Sequence, residues 1–273
     1  MTEETEQAPD PTTSILAFFG TELTRLRTKA GLSQEQTARL AHTTQSMISK
    51  VEAAKRVPSL DLARDLDIAL KTDGHFARLY PLVVHYAYPS WFLPVVELEK
   101  EAVSIRSFQN QILPGLLQTE EYARATLVQG RPDNLDDLVA ARMTRQEIFE
   151  RTDRPRAWFI MDEYVLMRHI GGEAVMRAQL QQLLTAGQVP RTVIQIIPRT
   201  VAEHPGLAGP FTLLGFDEGP DVLHVDGFSQ GRTALDQGEV AYGTHAYDLL
   251  RALALSPDAS AELIGRHLKE LGT

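Results

Sequence analysis

The chain has 273 residues, 43% of them apolar and 23% charged, a balance that suits folded domains and a length that suits two of them. It contains no cysteine, which excludes disulfide scaffolds, zinc fingers, iron–sulfur clusters and thiol nucleophiles. Its 27 basic and 36 acidic residues leave a formal charge of −9, which over the whole molecule opposes binding to a polyanion.

Residues 1–13 carry Glu3, Glu4, Glu6 and Asp10, no base, and Pro9 and Pro11, so they read as a disordered acidic tail. No apolar signal core follows, and no run of 18 apolar residues occurs anywhere, so a cytoplasmic protein without a membrane partner is expected. From Ser14 onward Ile15, Leu16, Phe19, Leu23, Leu26 and Ala30 recur at three- and four-residue steps, the stripe of an amphipathic helix, which Gly31 ends as a left-handed cap. Three short helices follow. The first spans 33–41, with Ser33 as N-cap and Glu35 in its first turn. The second spans 44–53 behind Thr44, and the third spans 59–70 behind Pro58, with Asp61 in its first turn. A fifth, 73–86, is interrupted by Pro81. The string HYAYPSWFLP (85–94) reads as a packed junction. Beyond it, apolar and β-branched runs at 102–109, 156–161, 192–197, 211–216 and 222–225 predict strands. Periodic segments at 119–128, 135–151, 173–186, 239–254 and 260–271 predict helices. The predicted fold class is an all-α N-terminal helix-turn-helix domain of five helices (14–86) followed by an α+β C-terminal domain (87–273).

The helix-turn-helix assignment comes from residues 33–52, SQEQTARLAHTTQSMISKVE. Two capped helices are joined by a three-residue turn. Ala38 is small where the second helix passes closely, and Thr37, Ile48 and Val51 fall on the inner faces. The second helix is then free to enter a major groove, presenting Gln45, Ser46, Ser49 and Lys50 outward near its start. A glutamine pairs bidentately with adenine, and serine serves either base type. Gln34 is placed to meet a phosphate, and Thr44, Lys55 and Arg56 complete the set expected to touch DNA. The competing reading is a helical hairpin with a solvated polar face. Against it, the outward residues are amides and hydroxyls where solvated helices favour Glu and Lys. Within 22–56, moreover, seven bases (Arg25, Arg27, Lys29, Arg39, Lys50, Lys55, Arg56) outnumber three acids, a local +4. Screening over about 8 Å lets such a patch act independently of the distant acidic excess.

The strings LRTKAGLSQEQTARLA, TTQSMISKVE and KRVPSLDLARDLDIAL resemble the Xre/Cro–cI class of helix-turn-helix regulators over residues 18–70. The resemblance implies that Gln34 contacts phosphate, that Gln45, Ser46 and Ser49 face bases, and that Lys50 meets base or backbone. It also implies that Glu52 is a structural acid closing the recognition helix. Two positions depart from the class: His42 stands where glycine is usual and Thr43 where an aliphatic residue is usual, so the turn needs a strained left-handed histidine. ILPGLLQTEEYARATL, AARMTRQEIF and LHVDGFSQGR are similar to the large C-terminal domain of actinobacterial Xre-type regulators, over residues 91–271. That similarity implies an antitoxin-like regulator, with a small partner protein encoded by a neighbouring gene. Pairing of twofold-related half-sites about 34 Å apart makes a homodimer the expected form on double-stranded DNA.

No set of residues converges on catalysis. His204 beside Glu203 and His224 near Asp226 lack the further ligands a metal needs, so both read as structural. Ser229 lies in GFSQG, a G-x-S-x-G string, but 231–238 does not read as the helix a nucleophile elbow requires. Asp162 and Glu163 are adjacent and would diverge on a helix. Asp162 reads as an N-cap after RAWFIM. PGLLQTEEYARA (114–125) is either a turn capped by Thr119 or part of a partner surface. A non-enzymatic protein with no cofactor and no metal is expected. The expected function is that of a sequence-specific DNA-binding transcriptional regulator whose C-terminal domain binds a small protein partner or effector. The alternative is an antitoxin-like protein that mainly captures a partner and binds DNA for autoregulation.

Overall fold

The computed structural model describes residues 9–228 and 230–271. The first eight residues of the expected tail, and Ser229, lie outside the described residues. In chain order the helices are α1 (Ile15–Lys29), α2 (Gln34–Leu40), α3 (Gln45–Glu52), α4 (Leu60–Leu70), α5 (His75–Ala87), α6 (Leu93–Glu101), α7 (Glu120–Leu127), α8 (Leu135–Thr144), α9 (Tyr164–Met167), α10 (Glu173–Ala186), α11 (Gln237–Leu253) and α12 (Pro257–Glu270). The strands are β1 (Ser104–Gln109), β2 (Arg156–Asp162), β3 (Thr192–Ile197), β4 (Phe211–Gly215), β5 (Val222–Val225) and β6 (Arg232–Ala234). None of these helices is long and apolar enough to cross a membrane.

The chain divides into two units, one formed by the residues up to 90 together with 127–144, the other by 91–126 and 145–273. In the first, α1 to α5 enclose Leu16, Phe19, Leu23, Ile48, Val51, Leu66, Phe76 and Val83, all with no exposed surface. Phe19 and Phe76 meet at a centroid distance of 4.9 Å. Gly74 has no side chain to cap α5, and the buried Asp67 of α4 does that work by accepting hydrogen bonds from the Phe76 and Ala77 N–H groups, each at 2.9 Å. Pro81 lies inside α5 without ending it.

The first unit is larger than the sequence indicates. Residues 127–144, expected in the downstream domain, belong to it, because α8 buries Val139, Ala140 and Met143 there. Three side-chain contacts fasten it. The Ser14 hydroxyl, which caps α1, donates to Asp137 (2.7 Å), Thr144 Oγ1 accepts from the Val57 N–H (2.9 Å), and the Tyr88 hydroxyl donates to the Ala141 carbonyl (3.2 Å). Hydrophobic periodicity identifies such a helix but does not name the surface it covers. The single helix predicted over 135–151 also ends earlier, at Thr144, and continues as a 3₁₀ turn over Arg145–Phe149.

A glycine inside α1 shows how tightly this unit packs. A Cβ on Gly20 would lie 2.6 Å from the Val51 carbonyl oxygen and 2.7 Å from that of Glu52, backbone atoms at the end of α3. Alanine is the better helix former by about 1 kcal/mol, yet Gly20→Ala is expected to destabilise the protein by about 1–3 kcal/mol through overpacking. Urea unfolding followed by circular dichroism measures this as a lower midpoint. A raised midpoint would mean that α1 and α3 do not approach this closely.

The second unit is α+β, built on a mixed six-stranded sheet in the order β3-β2-β1-β4-β5-β6. The neighbours β3-β2-β1 are parallel, and β4, β5 and β6 add on antiparallel. Both faces of the sheet are covered, which explains why RAWFIM and TVIQII are largely apolar instead of alternating. Phe159, Met161, Ile194, Ile196 and Leu214 point into one core with residues of α10 and α12. Phe108, Ile160, Ile197 and Leu213 point into the other, against Tyr247 and Leu250 of α11. Helix α6, which begins at the end of the predicted junction and runs beyond it, and the three-residue β6 are elements that sequence patterning did not supply.

Candidate nucleic-acid interface

The helix-turn-helix is set by local chemistry. Ser33 and Gln36 form a reciprocal capping box at the start of α2: Ser33 Oγ accepts from the Gln36 N–H (3.1 Å) and Gln36 Oε1 from the Ser33 N–H (2.8 Å). Thr44 Oγ1 accepts from the Met47 N–H (3.1 Å) and starts α3. Gly31 has φ +71° and ends α1. His42 has φ +50°, so the turn does contain the left-handed histidine in place of glycine. Thr37, Ile48 and Val51 are fully buried and Ala38 nearly so, which fixes α3 against α2.

The outer face of α3 then carries the predicted residues. Thr44, Gln45 and Ser46 are exposed, and Ser49 and Lys50 are half-buried along the same helix. Lys55 is exposed and Arg56 half-buried, with Arg56 Nη1 donating to the Lys55 carbonyl (2.9 Å). The local basic excess is partly engaged within the fold. Arg25 pairs with Glu22 (2.6 Å), Arg27 with Glu52 (2.5 Å) and Arg39 with Glu35 (3.9 Å).

The feature that sequence reasoning missed is a relay through Glu52. This acid is 7% exposed; it receives Arg27 on both oxygens and the Gln34 amide on Oε2 (2.7 Å). Gln34 Oε1 in turn accepts from Gln45 Nε2 (2.7 Å). Three side chains, Arg27 of α1, Gln34 of α2 and Glu52 of α3, therefore hold the amide of Gln45 in one orientation. Gln34, read from sequence as a phosphate contact, is tied to α3 by both its amide groups. The outward set was legible from spacing; this relay, joining residues 18 and 25 apart, left no sequence signal beyond the residue types.

Two comparisons with family models bear on these units. Residues 92–266, more than half of the chain, match the model of the domain of unknown function DUF5753. The chain belongs to this family. Residues 19–79, from within α1 into α5, match a helix-turn-helix domain. No curated protein and no solved structure matches the chain.

Inside the DUF5753 span the chemically suggestive strings resolve as follows. His204 pairs with Asp162, 3.1 Å from Nε2, and not with its neighbour Glu203, while Asp162 Oδ1 accepts the Tyr164 N–H at 2.9 Å. His224 is 2% exposed, with Nδ1 3.1 Å from the Thr233 hydroxyl and Nε2 3.5 Å from Asp226. Glu163 pairs with His267 at 3.0 Å. PGLLQTEEYARA turns inward: Leu116, Leu117, Tyr122 and Ala123 are buried, Thr119 Oγ1 caps α7 through the Tyr122 N–H (3.3 Å), and Gln179 Oε1 accepts the Thr119 N–H (2.7 Å). Among the described residues, no group of three or more His, Asp or Glu side chains is arranged to hold a metal ion.

Proposed function

We propose that the protein is a sequence-specific DNA-binding transcriptional regulator that works beside DNA in the cytoplasm and binds its site as a homodimer. The observation that carries this reading is the Gln45 amide on the exposed face of α3, held by Gln34. An adenine edge needs one acceptor and one donor. With one Nε2 hydrogen engaged by Gln34, Gln45 retains Oε1 and a second hydrogen, the pair that adenine N6 and N7 require. Ser46 and Ser49 add contacts to neighbouring bases, Lys50 meets base or backbone, and Thr44, Lys55 and Arg56 meet phosphates. Gln34 acts chiefly as the positioning partner of Gln45, with its remaining amide hydrogen available to a phosphate.

Gln45→Ala is expected to lose about 1–3 kcal/mol of discrimination, roughly 5- to 150-fold, at one base pair of the site. Binding to random duplex should be nearly unchanged. Lys55→Ala should instead weaken both duplexes alike and lower the slope of log K against log salt by about 0.9. Fluorescence anisotropy with the two duplexes at several salt concentrations measures both. If Gln45→Ala discriminates as well as the parent, α3 is not the reading helix.

The resemblance to actinobacterial Xre-type regulators supports a second element of the proposal. The DUF5753 unit binds an effector or a small protein encoded by a neighbouring gene, and such binding alters occupancy at the promoter. An antitoxin-like protein, with DNA binding reserved for autoregulation, is the variant of this reading that co-purification of a stoichiometric small protein would favour.

A further inference from the structure

The C-terminal unit holds a cavity lined by none of the residues proposed above to meet DNA. Because β1, β2 and β3 run parallel, their carboxyl ends share one edge of the sheet, the edge at which open α/β sheets take ligands. There a pocket of about 550 Å³ opens between the segments that follow β2 and β3 and the end of α12. Its size falls within the range of small-molecule sites, roughly 300–1,000 Å³.

Its lining is apolar in part, from Met167, Pro198, Leu255 and Leu263, and charged in part. Glu163 is 5% exposed and engaged on both oxygens, Oε2 accepting the Arg199 N–H (2.8 Å) and Oε1 lying 3.0 Å from His267 Nε2. Burial opposes the charge of this carboxyl, but the Arg199 amide and His267 outweigh it and hold it below the ordinary carboxylate range. Glu270 is directed at the other ring nitrogen of His267, 3.6 Å away. Both acids of the pocket thus approach His267, one at each ring nitrogen. The guanidinium groups of Arg199 and Arg266, which line the same cavity, form no salt bridge among the described residues. Arg199 feels the charge of Glu163 without a direct ion pair, and two planar forks with free donors among apolar side chains suit one kind of guest.

We propose that this pocket binds a small organic oxyanion, its carboxylate or phosphate head on Arg199 and Arg266 and its apolar body along Met167 and Leu255. This gives chemical content to the effector role proposed above, and its test needs no DNA. Isothermal titration of the full chain in a chloride buffer, with hexanoate, hexyl phosphate and inorganic phosphate as probes, reads it directly. One of the organic anions should bind once per chain, at least about tenfold tighter than inorganic phosphate, and the tighter of the two identifies the head group.

The double variant R199Q/R266Q should weaken that binding at least about tenfold. Both arginines are exposed, so its circular dichroism should match the parent's. Arg266→Lys, which keeps the charge and loses the fork, should lie between. Met167→Ser should weaken the organic anion and leave inorganic phosphate unchanged. Absence of saturable binding at millimolar concentrations overturns the proposal, as does binding that survives R199Q/R266Q. A protein that selects a DNA site but binds neither organic anion loses this pocket and keeps the regulator reading; the converse result does the opposite.

Discussion

Replacing Glu52 by alanine is expected to lower the unfolding free energy by about 3–5 kcal/mol, the usual consequence of removing one partner from a buried ion pair. The Arg27 and Glu52 side chains are 15% and 8% exposed, so the arginine left behind keeps its burial and loses its counter-charge. Gln34 loses the acceptor for its amide at the same time, and with it the fixed orientation it imposes on Gln45. Glu52 does not face solvent, yet its loss should also weaken discrimination between DNA sites. Glu52→Gln retains one acceptor and the side-chain volume and should fall between the two. Denaturant unfolding and anisotropy on the same samples separate the effects. If Glu52→Ala unfolds with the parent's midpoint, the relay contributes nothing to the fold.

The second large effect belongs to the DUF5753 unit. Phe159, in the middle of β2, has no exposed surface, and its ring packs edge-on to Phe149 at 6.4 Å. Phe159→Ala should destabilise this unit by about 3–5 kcal/mol, combining lost burial with the cavity left behind. Phe159→Leu, which preserves most of the volume, should cost less than about 1.5 kcal/mol. Calorimetry on the two variants gives the comparison. Equal losses would mean that the site relaxes around any change, as a loosely packed interior would.

The helices of the DNA-binding unit were legible because their determinants are local. Ser33 and Thr44 sit where caps are needed, Gly31 and His42 occupy the left-handed turns, and Ala38, Ile48 and Val51 recur at helical spacing. The strands 156–161, 192–197 and 222–225 were legible for the related reason that a doubly covered sheet leaves largely apolar runs, interrupted here only by Arg156, Thr192, Gln195 and His224. What spacing could not reveal is which distant side chain answers which. Asp162 finds His204, Glu163 finds His267, and Ser14 finds Asp137, across 42, 104 and 123 residues. The return of α8 to the N-terminal unit is the same blindness at the scale of a helix. Helix α6 escaped because it begins among Trp91, Phe92 and Pro94, residues that read as a junction, although proline is well tolerated in a first helical turn. Three residues of β6 are too few for any period to show.

The net charge of −9 argues against DNA only if charge is averaged over the molecule. The surface proposed to meet DNA has a local basic excess, with Lys50, Lys55 and Arg56 near in sequence to the uncharged amides and hydroxyls of α3. The acidic excess lies elsewhere in the chain and should lower affinity for arbitrary sequence, leaving base contacts to carry more of the selectivity.

The most direct test is to let the purified full chain select from a pool of random duplexes at physiological salt and to sequence what it retains. The regulator reading predicts an enriched motif in two twofold-related halves, centred about 10 base pairs or a multiple apart. Within each half, one A·T pair should lose its preference when Gln45 is replaced by alanine. Retained DNA with the base composition of the starting pool would contradict it.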